Sequence, residues 1–388
     1  MRILHCVQFY HPAIGGMEEV VKQLSERLVQ YGHEVHVMTS KCVGRQQANL
    51  NGVNVVEFNL SGNLALGISG DIVECQGFLL REKFDIIVCF AAQQWATDIF
   101  FQDDLITKIN AKKIFVPTGF SGLYDPRYAQ YFENMKKWFN FFDFSVFLSE
   151  DYRDIDFARK TGVKRLGIIP NGASEEEFTQ KIKNNPSKCF NILHVGNHTG
   201  QKGHRELMKI YYHSNVFNSK LLVLGAKKVM GKCYFVCKIR SFFYNLVFKI
   251  TGVKKKIEVS CLERREVVQS YLTSDLFLFP SNVECSPIVL FEAMASKTPF
   301  LTSAAGNSKE IVSWSHGGIL LPSKKDNLGN TSVDVKLSTN LLNDLYKNKD
   351  KLKELGESGY RAWKERFTWE KISKRYETLY FELMEEEK

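Results

Sequence analysis

Residues 281–299 read SNVECSPIVLFEAMASKTP, with two glutamates, Glu284 and Glu292, eight positions apart around a proline in a largely apolar run. Carboxylates so placed could form a metal site, an acid–base pair or a grip on a sugar, or could belong to ordinary packing. The preceding DLFLFP (275–280) is short and apolar, as a strand buried on both faces would be. Ser286 before Pro287 reads as a helix start, because a hydroxyl can cap the first amides and proline suits the first helical position. The helix then runs to about Ser296, which leaves Glu284 in the loop before it and Glu292 inside it, on no common face. Amides around Ser286, Ile288 and Val289 at such a start favour an anion, most naturally phosphate, although a capped core helix has the same signature.

This strand–loop–helix unit recurs along the chain. RILHCVQFY, HEVHVMT, VNVVEF, FDIIVCF, KKIFVPT, FSVFLS and RLGIIP form one series of strand candidates; FNILHVG, KLLVLG, KIEVSC, LFLFPS, PFLTS and GGILLP form a second. Amphipathic segments such as MEEVVKQLSERLVQYG separate them, the rhythm of parallel sheets wrapped by helices. Both series open alike, at Ile3-Leu4-His5 and Ile192-Leu193-His194, each running into a glycine-containing loop. Two doubly wound α/β domains are therefore expected, 1–182 and 183–365, joined near TQKIKNNPSK (179–188), where apolar periodicity lapses. The last helix (366–388) is expected to return to the first domain. A ligand site is expected in the cleft between the two.

At 388 residues the chain exceeds a single ordinary core, and 44% hydrophobic with 24% charged residues is a globular composition. No run of about 18 uncharged apolar residues suggests a membrane span, and the N-terminus lacks the pattern of a secretory leader. Nine scattered cysteines, without a CxxC pair or a His-rich neighbourhood, predict reduced thiols in a cytoplasmic protein and no zinc site. The formal charge of +9 permits phosphorylated substrates, anionic lipid or nucleic acid.

IPNG at 169, VGNHTGQKGH at 195, LFPSNVECSPIVLFEAMASKTPFLTS at 278 and GNSKEIV at 306 together resemble the retaining glycosyltransferases of family 4, which have the GT-B fold. The resemblance spans nearly the whole chain, and the Glu-x7-Glu arrangement followed by AMASKTP is its most specific part. It implies that Glu284 faces the hydroxyls of the donor sugar and that Glu292 accepts hydrogen bonds from the nucleotide ribose. The backbone at Cys285, Ser286, Pro287 and Ile288 would hold the diphosphate. Lys202 matches the lysine of the family's Arg-x4-Lys pair, which neutralises the leaving diphosphate. Asn197 stands where the arginine belongs; Arg205, Lys227 or Lys228 are candidates to supply the missing charge. Gly15 and Gly16 match the glycine-rich turn of the N-terminal domain, where a small backbone lets donor and acceptor approach, though a plain tight turn reads the same. They do not fit the dinucleotide GxGxxG pattern. The resemblance places Gly16 and Asn197 with the donor-binding residues and Gly15, His11, Asp98 and Thr118 on the acceptor side.

Two loops lack a histidine common in relatives: Thr118-Gly119-Phe120, and AAQQWATD (91–98). Asp98 and His11 are the remaining candidates for a base, and the family's same-face mechanism needs none. The resemblance implies a nucleotide-sugar donor, a UDP-sugar ahead of a GDP-sugar, with no cofactor and no metal. QDD (102–104) and DID (154–156) are fragments of an Asp-x-Asp pattern, the latter read as a helix surface. Residues 226–256 carry lysines and arginines without an acid, interleaved with aromatic and branched residues. This is the composition of a helix at an anionic membrane surface, or of an ordinary helix with solvated lysines. YAQYFENMKKWFNFFDF (128–144) could line an acceptor surface or pack on the first sheet. The expected activity is hexosyl transfer to a glycan or lipid-linked acceptor in envelope polysaccharide synthesis, without nucleic acid. A catalytically silent partner subunit and a sugar-nucleotide epimerase of the same fold are the alternatives.

Overall fold

A computed structural model of the chain describes residues 1–178, 189–226 and 231–386. Its contacts group into two compact units, Met1–Asn171 with Trp369–Lys388, and Gly172–Thr368. The segment proposed as a linker (179–188) lies outside the described residues. Residues 172–178 go with the second unit rather than the first, because backbone and side chains stitch them there. Ala173 N–H donates to Phe367 O (3.0 Å), the Trp363 indole donates to Ala173 O (3.1 Å), and Phe178 packs on Tyr271. Phe367 in turn packs on Phe291, which moves the return to the first unit from 366 to Trp369.

The main sheet of the first unit has eight strands among the described residues. Their spatial order is Leu166–Ile168, Phe144–Phe147, Lys112–Val116, Ile86–Phe90, Arg2–Cys6, Glu34–Ser40, Val53–Phe58 and Asn49–Leu50. Only the last pair is antiparallel. Ile86–Phe90 is buried at every position, as a central parallel strand covered on both faces must be. The order reverses between Arg2–Cys6 and Ile86–Phe90, so the loops after these two strands flank the position where such sheets bind ligands. The aromatic run at 128–144 packs inward: Tyr131, Phe132, Met135 and Phe139 are buried, so these residues line no acceptor surface. Helix Trp369–Glu385 lies against helix Gly16–Gln30, with Tyr31 Oη bonded to Ser373 Oγ (2.8 Å) and His33 Nε2 to Glu377 Oε1 (2.9 Å).

The second unit has a six-stranded parallel sheet ordered Lys255–Cys261, Ser219–Gly225, Phe190–Val195, Leu276–Phe279, Phe300–Thr302 and Gly318–Leu320. Here the reversal falls between Phe190–Val195 and Leu276–Phe279. Two short hairpins, Leu60–Asn63 with Gly67–Gly70 and Ser323–Lys325 with Thr331–Val333, have no counterpart in the sequence reading. Their strands are too short to show a period.

Within 226–256 the described residues are the crossover of a βαβ unit. Helix Lys232–Ile250 joins two neighbouring parallel strands. One face is packed through Cys237, Ser241 and Phe248, while Asn245 bonds both backbone groups of Ile257 on the edge strand, each at 2.8 Å. The other face leaves Phe235, Ile239, Phe242, Phe243 and Ile250 exposed. Lys255 is not solvated: its ammonium is buried and donates to the carbonyls of Tyr211, Tyr212 and Ser214 at the end of helix His204–His213. It caps the negative end of that helix, and burial lowers its pKa to about 8.

Candidate active site

The loops after the two strands at the reversal of the second sheet carry Lys202 and Glu284. Lys202 Nζ lies 2.6 Å from Glu284 Oε1, and Ser281 Oγ donates to the same oxygen at 2.6 Å. Glycine makes this approach possible. Gly203 has φ +64°, and a Cβ there would stand 1.8 Å from Pro280 O; only a residue without a side chain lets the two loops touch. Asn282 N–H then donates to Gln201 O (2.8 Å), fixing the lysine loop to the glutamate loop. Gly306 does the same from a third side: at φ +58°, its Cβ would lie 2.3 Å from Cys285 O, which accepts the Asn307 N–H at 2.8 Å.

Glu284 thus stands before the helix and Glu292 within it, as read from Ser286-Pro287, but the start differs by one residue. Helix Ile288–Ala295 has Pro287 at its N-cap and no side-chain cap. The Ser286 hydroxyl accepts from Asn307 Nδ2 (3.2 Å), which ties it to the neighbouring loop. Glu292 is buried and paired with Arg264, Nη1 to Oε1 at 2.6 Å. Arg264 also holds Glu177 with Nε and Nη2, at 2.9 and 2.5 Å. Burial together with Glu292 raises the pKa of neighbouring Tyr271. Asn197 is occupied structurally: its Oδ1 accepts the Ala226 N–H (3.2 Å) and ties the lysine loop to the end of the next strand. Arg205 is on the exposed side of its helix, and Lys227 and Lys228 lie outside the described residues.

In the first unit, Gly15 is the N-cap of helix Gly16–Gln30, and the space beside the Gly16 Cα is open. His11, in the same loop, is exposed, and its carbonyl accepts from Arg45 Nε at 2.9 Å. Asp98 is a correction to the sequence reading. It is fully buried, with Oδ1 accepting the Tyr131 hydroxyl (2.7 Å) and Oδ2 the Leu64 N–H (2.9 Å), so no substrate reaches it as a base. Burial raises its pKa to about 7. Thr118, Gly119 and Phe120 all have positive φ, an unusual run that only firm anchoring sustains. The anchor is Asp154, which accepts the Gly119 N–H at 2.8 Å. Asp154 is therefore no helix-surface residue; it is buried, and burial raises its pKa to about 6. Asp103 and Asp104 are exposed.

Two features escaped the sequence reading. Arg264 is one; it lies 28 residues before Glu292, and no local pattern joins them. The other is a cluster of His198, His204, Cys233 and Cys237, whose candidate ligand atoms all lie within 4.8 Å of one another. Cys233 and Cys237 share a helix face four residues apart, and that spacing was the available signal. No disulfide occurs among the described residues.

The family model of glycosyl transferases group 1 matches residues 175–361, and that of glycosyltransferase family 4 matches residues 14–177. An uncharacterized glycosyltransferase of Methanocaldococcus jannaschii is 25% identical over 360 residues, 84% of this chain and 87% of that protein. Sucrose-phosphate synthase from Thermosynechococcus elongatus matches with a TM-score of 0.77 at 18% identity, over 98% of each chain. Anabaena HepE in complex with UDP-glucose matches with a TM-score of 0.69 at 15% identity, over 98% of this chain and 99% of that one. The chain belongs to glycosyltransferase family 4 and has the GT-B fold.

Proposed function

We propose that this glycosyltransferase moves a hexose from a UDP-sugar, with retention, to a glycan or lipid-linked acceptor of the cell envelope. The contact between Lys202 and Glu284 carries the reading. A group suited to sugar hydroxyls and a group suited to phosphate touch each other, so together they bracket the bond between the anomeric carbon and the diphosphate. That bond breaks as the acceptor oxygen bonds to the same face, and the acceptor proton passes to the departing phosphate oxygen. Charge grows on the diphosphate, where Lys202 and the first-turn amides of helix Ile288–Ala295 oppose it. Glu292, oriented by Arg264, is assigned to the ribose, Gly16 to the donor, and Gly15, His11 and Thr118 to the acceptor side. The choice of uridine draws on HepE, solved with UDP-glucose. No metal enters the transfer step in this reading.

Glu284→Ala and Lys202→Ala are expected to abolish transfer and hydrolysis across a nucleotide-sugar panel while leaving the fold intact. Unchanged turnover in either variant would overturn the assignment.

The exposed face of helix Lys232–Ile250 supports a location on an anionic membrane. Phe242 and Ile250, 64% and 76% exposed, stand among Lys232, Lys238, Arg240 and Lys249, with no acid in the helix. No described helix is long and apolar enough to cross a bilayer, so the helix would lie in the interface. The full chain should float with vesicles containing phosphatidylglycerol at low salt, and the double variant Phe242→Glu, Phe243→Glu should not. Equal flotation of both, or of neither, removes this part of the proposal.

A further inference from the structure

The His–Cys cluster belongs neither to the donor pocket nor to the membrane-facing side of the crossover helix. Its members come from a loop and two helices. His198 lies in the lysine loop and His204 begins the helix after it; Cys233 and Cys237 lie on the first turns of Lys232–Ile250. Cys233 Sγ is 3.8 Å from His198 Nδ1 and 3.7 Å from His204 Nδ1. The two imidazoles stack at 4.3 Å between centroids, and the Nε2 of each is buried without a hydrogen-bond partner. A bare group of this kind is costly, because buried polar atoms without partners lose the hydrogen bonds water gave them.

We propose that His198, His204, Cys233 and Cys237 bind one structural zinc ion in a tetrahedral Cys2His2 site. With Zn–S of about 2.3 Å and Zn–N of about 2.0–2.1 Å, the edges of such a tetrahedron are about 3.3–3.8 Å. Cys233 Sγ already stands 3.8 and 3.7 Å from one nitrogen of each ring, and one ligand atom from each of the four residues lies within 4.8 Å of the others, about 1 Å beyond the longest edge of that tetrahedron. Two thiols with two imidazoles form a donor set that selects zinc over hard cations. Binding displaces the two thiol protons, and the two thiolates cancel the charge of the ion, so no net charge is left buried. Each histidine ligates as the neutral imidazole. All four protein ligands are present, so the site is closed and has no place for substrate; that is the mark of a structural rather than a catalytic ion.

The position gives the ion a purpose. His198 and His204 flank Lys202 on both sides, so the ion would clamp the phosphate-binding loop to the start of the crossover helix. The proposal does not depend on the identity of the donor, and metal content is read without any sugar or acceptor.

The test uses the full chain purified without a polyhistidine tag and without chelator. Elemental analysis should find about one zinc per chain, and replacement by cobalt should give the intense visible bands and thiolate charge-transfer absorption of a tetrahedral thiolate site. The pair Cys233→Ser, Cys237→Ser should lose both signals, while Cys42→Ser, in the other unit, should keep them. Chelation of the wild type should lower its melting temperature. A wild-type protein with only trace metal and no charge-transfer band on cobalt titration overturns the proposal, whether or not the serine variants fold.

Discussion

The two halves of the chain use buried carboxylates in opposite ways. In the second unit Glu284 and Glu292 each meet a cation, Lys202 and Arg264, at 2.6 Å. In the first unit Asp98 and Asp154 meet amides and a hydroxyl instead, and burial raises their pKa values to about 7 and about 6. Both arrangements sit at the ends of parallel strands. A carboxylate paired with a side-chain cation stays ionised and offers its remaining lone pairs to an incoming ligand. One fixed by backbone amides can only hold a loop in shape. In the proposed function the second unit receives the charged donor, whereas the first presents shaped backbone, including the strained turn at Thr118-Gly119-Phe120.

The comparison can be broken most decisively at Lys202. Lys202→Ala should lower turnover at least ~10²- to 10³-fold, to the edge of detection in the panel assay, the cost typical of removing one group that opposes charge in the transition state. Steady-state rates on the preferred nucleotide-sugar would measure it, and a loss below tenfold would place the electrostatic work elsewhere. The next largest effect concerns the first unit. Asp98 has a folded-state pKa above its unfolded value, so the stability of its protonated form is fully present below pH ~4 and is lost as pH rises to about 7. The loss is of the order of 4 kcal/mol, from a rise of about three pKa units. Asp98→Asn keeps an acceptor for the Leu64 N–H and cannot ionise. Denaturation curves should therefore show wild-type stability falling between pH 4 and 7, relative to the variant. Parallel pH profiles would refute the sealed-carboxyl reading.

The sequence carried the fold because parallel strands covered on both faces are short apolar runs, legible one by one. It also carried the order of Glu284, helix start and Glu292, since proline after serine is a local signal. Partners distant along the chain were not legible. Nothing near Asp98 indicates that Leu64 and Tyr131 close over it, and Asp154 shares the exposed-looking DID pattern of a helix surface. The Ser286 hydroxyl went to Asn307 because the glycine at 306 brings that loop against Cys285, a tertiary event.

Smaller effects sharpen the contrast. Gly203→Ala must shift the loop away from Pro280 O or strain its backbone, which should cost about 2 kcal/mol of stability and weaken UDP binding by calorimetry. An unchanged affinity would mean that the two loops need not touch. Arg264→Gln removes the partner of a buried carboxylate, but the arginine itself is 39% exposed, so roughly 1–2 kcal/mol is expected. The variant should bind UDP more weakly and melt earlier. Tighter binding would show that Arg264 competes with the ribose rather than orienting Glu292.

The amide of Asn245 has a consequence for how the protein behaves in a crowd. Lys255–Cys261 is an edge strand, and such strands recruit other chains through unsatisfied backbone groups. Asn245 takes both groups of Ile257 at the middle of that strand. A sticky apolar helix and a vulnerable sheet margin lie side by side, and one side chain keeps the first from becoming an invitation to the second. At Ile257 that margin is closed by a carboxamide that imitates a neighbouring strand.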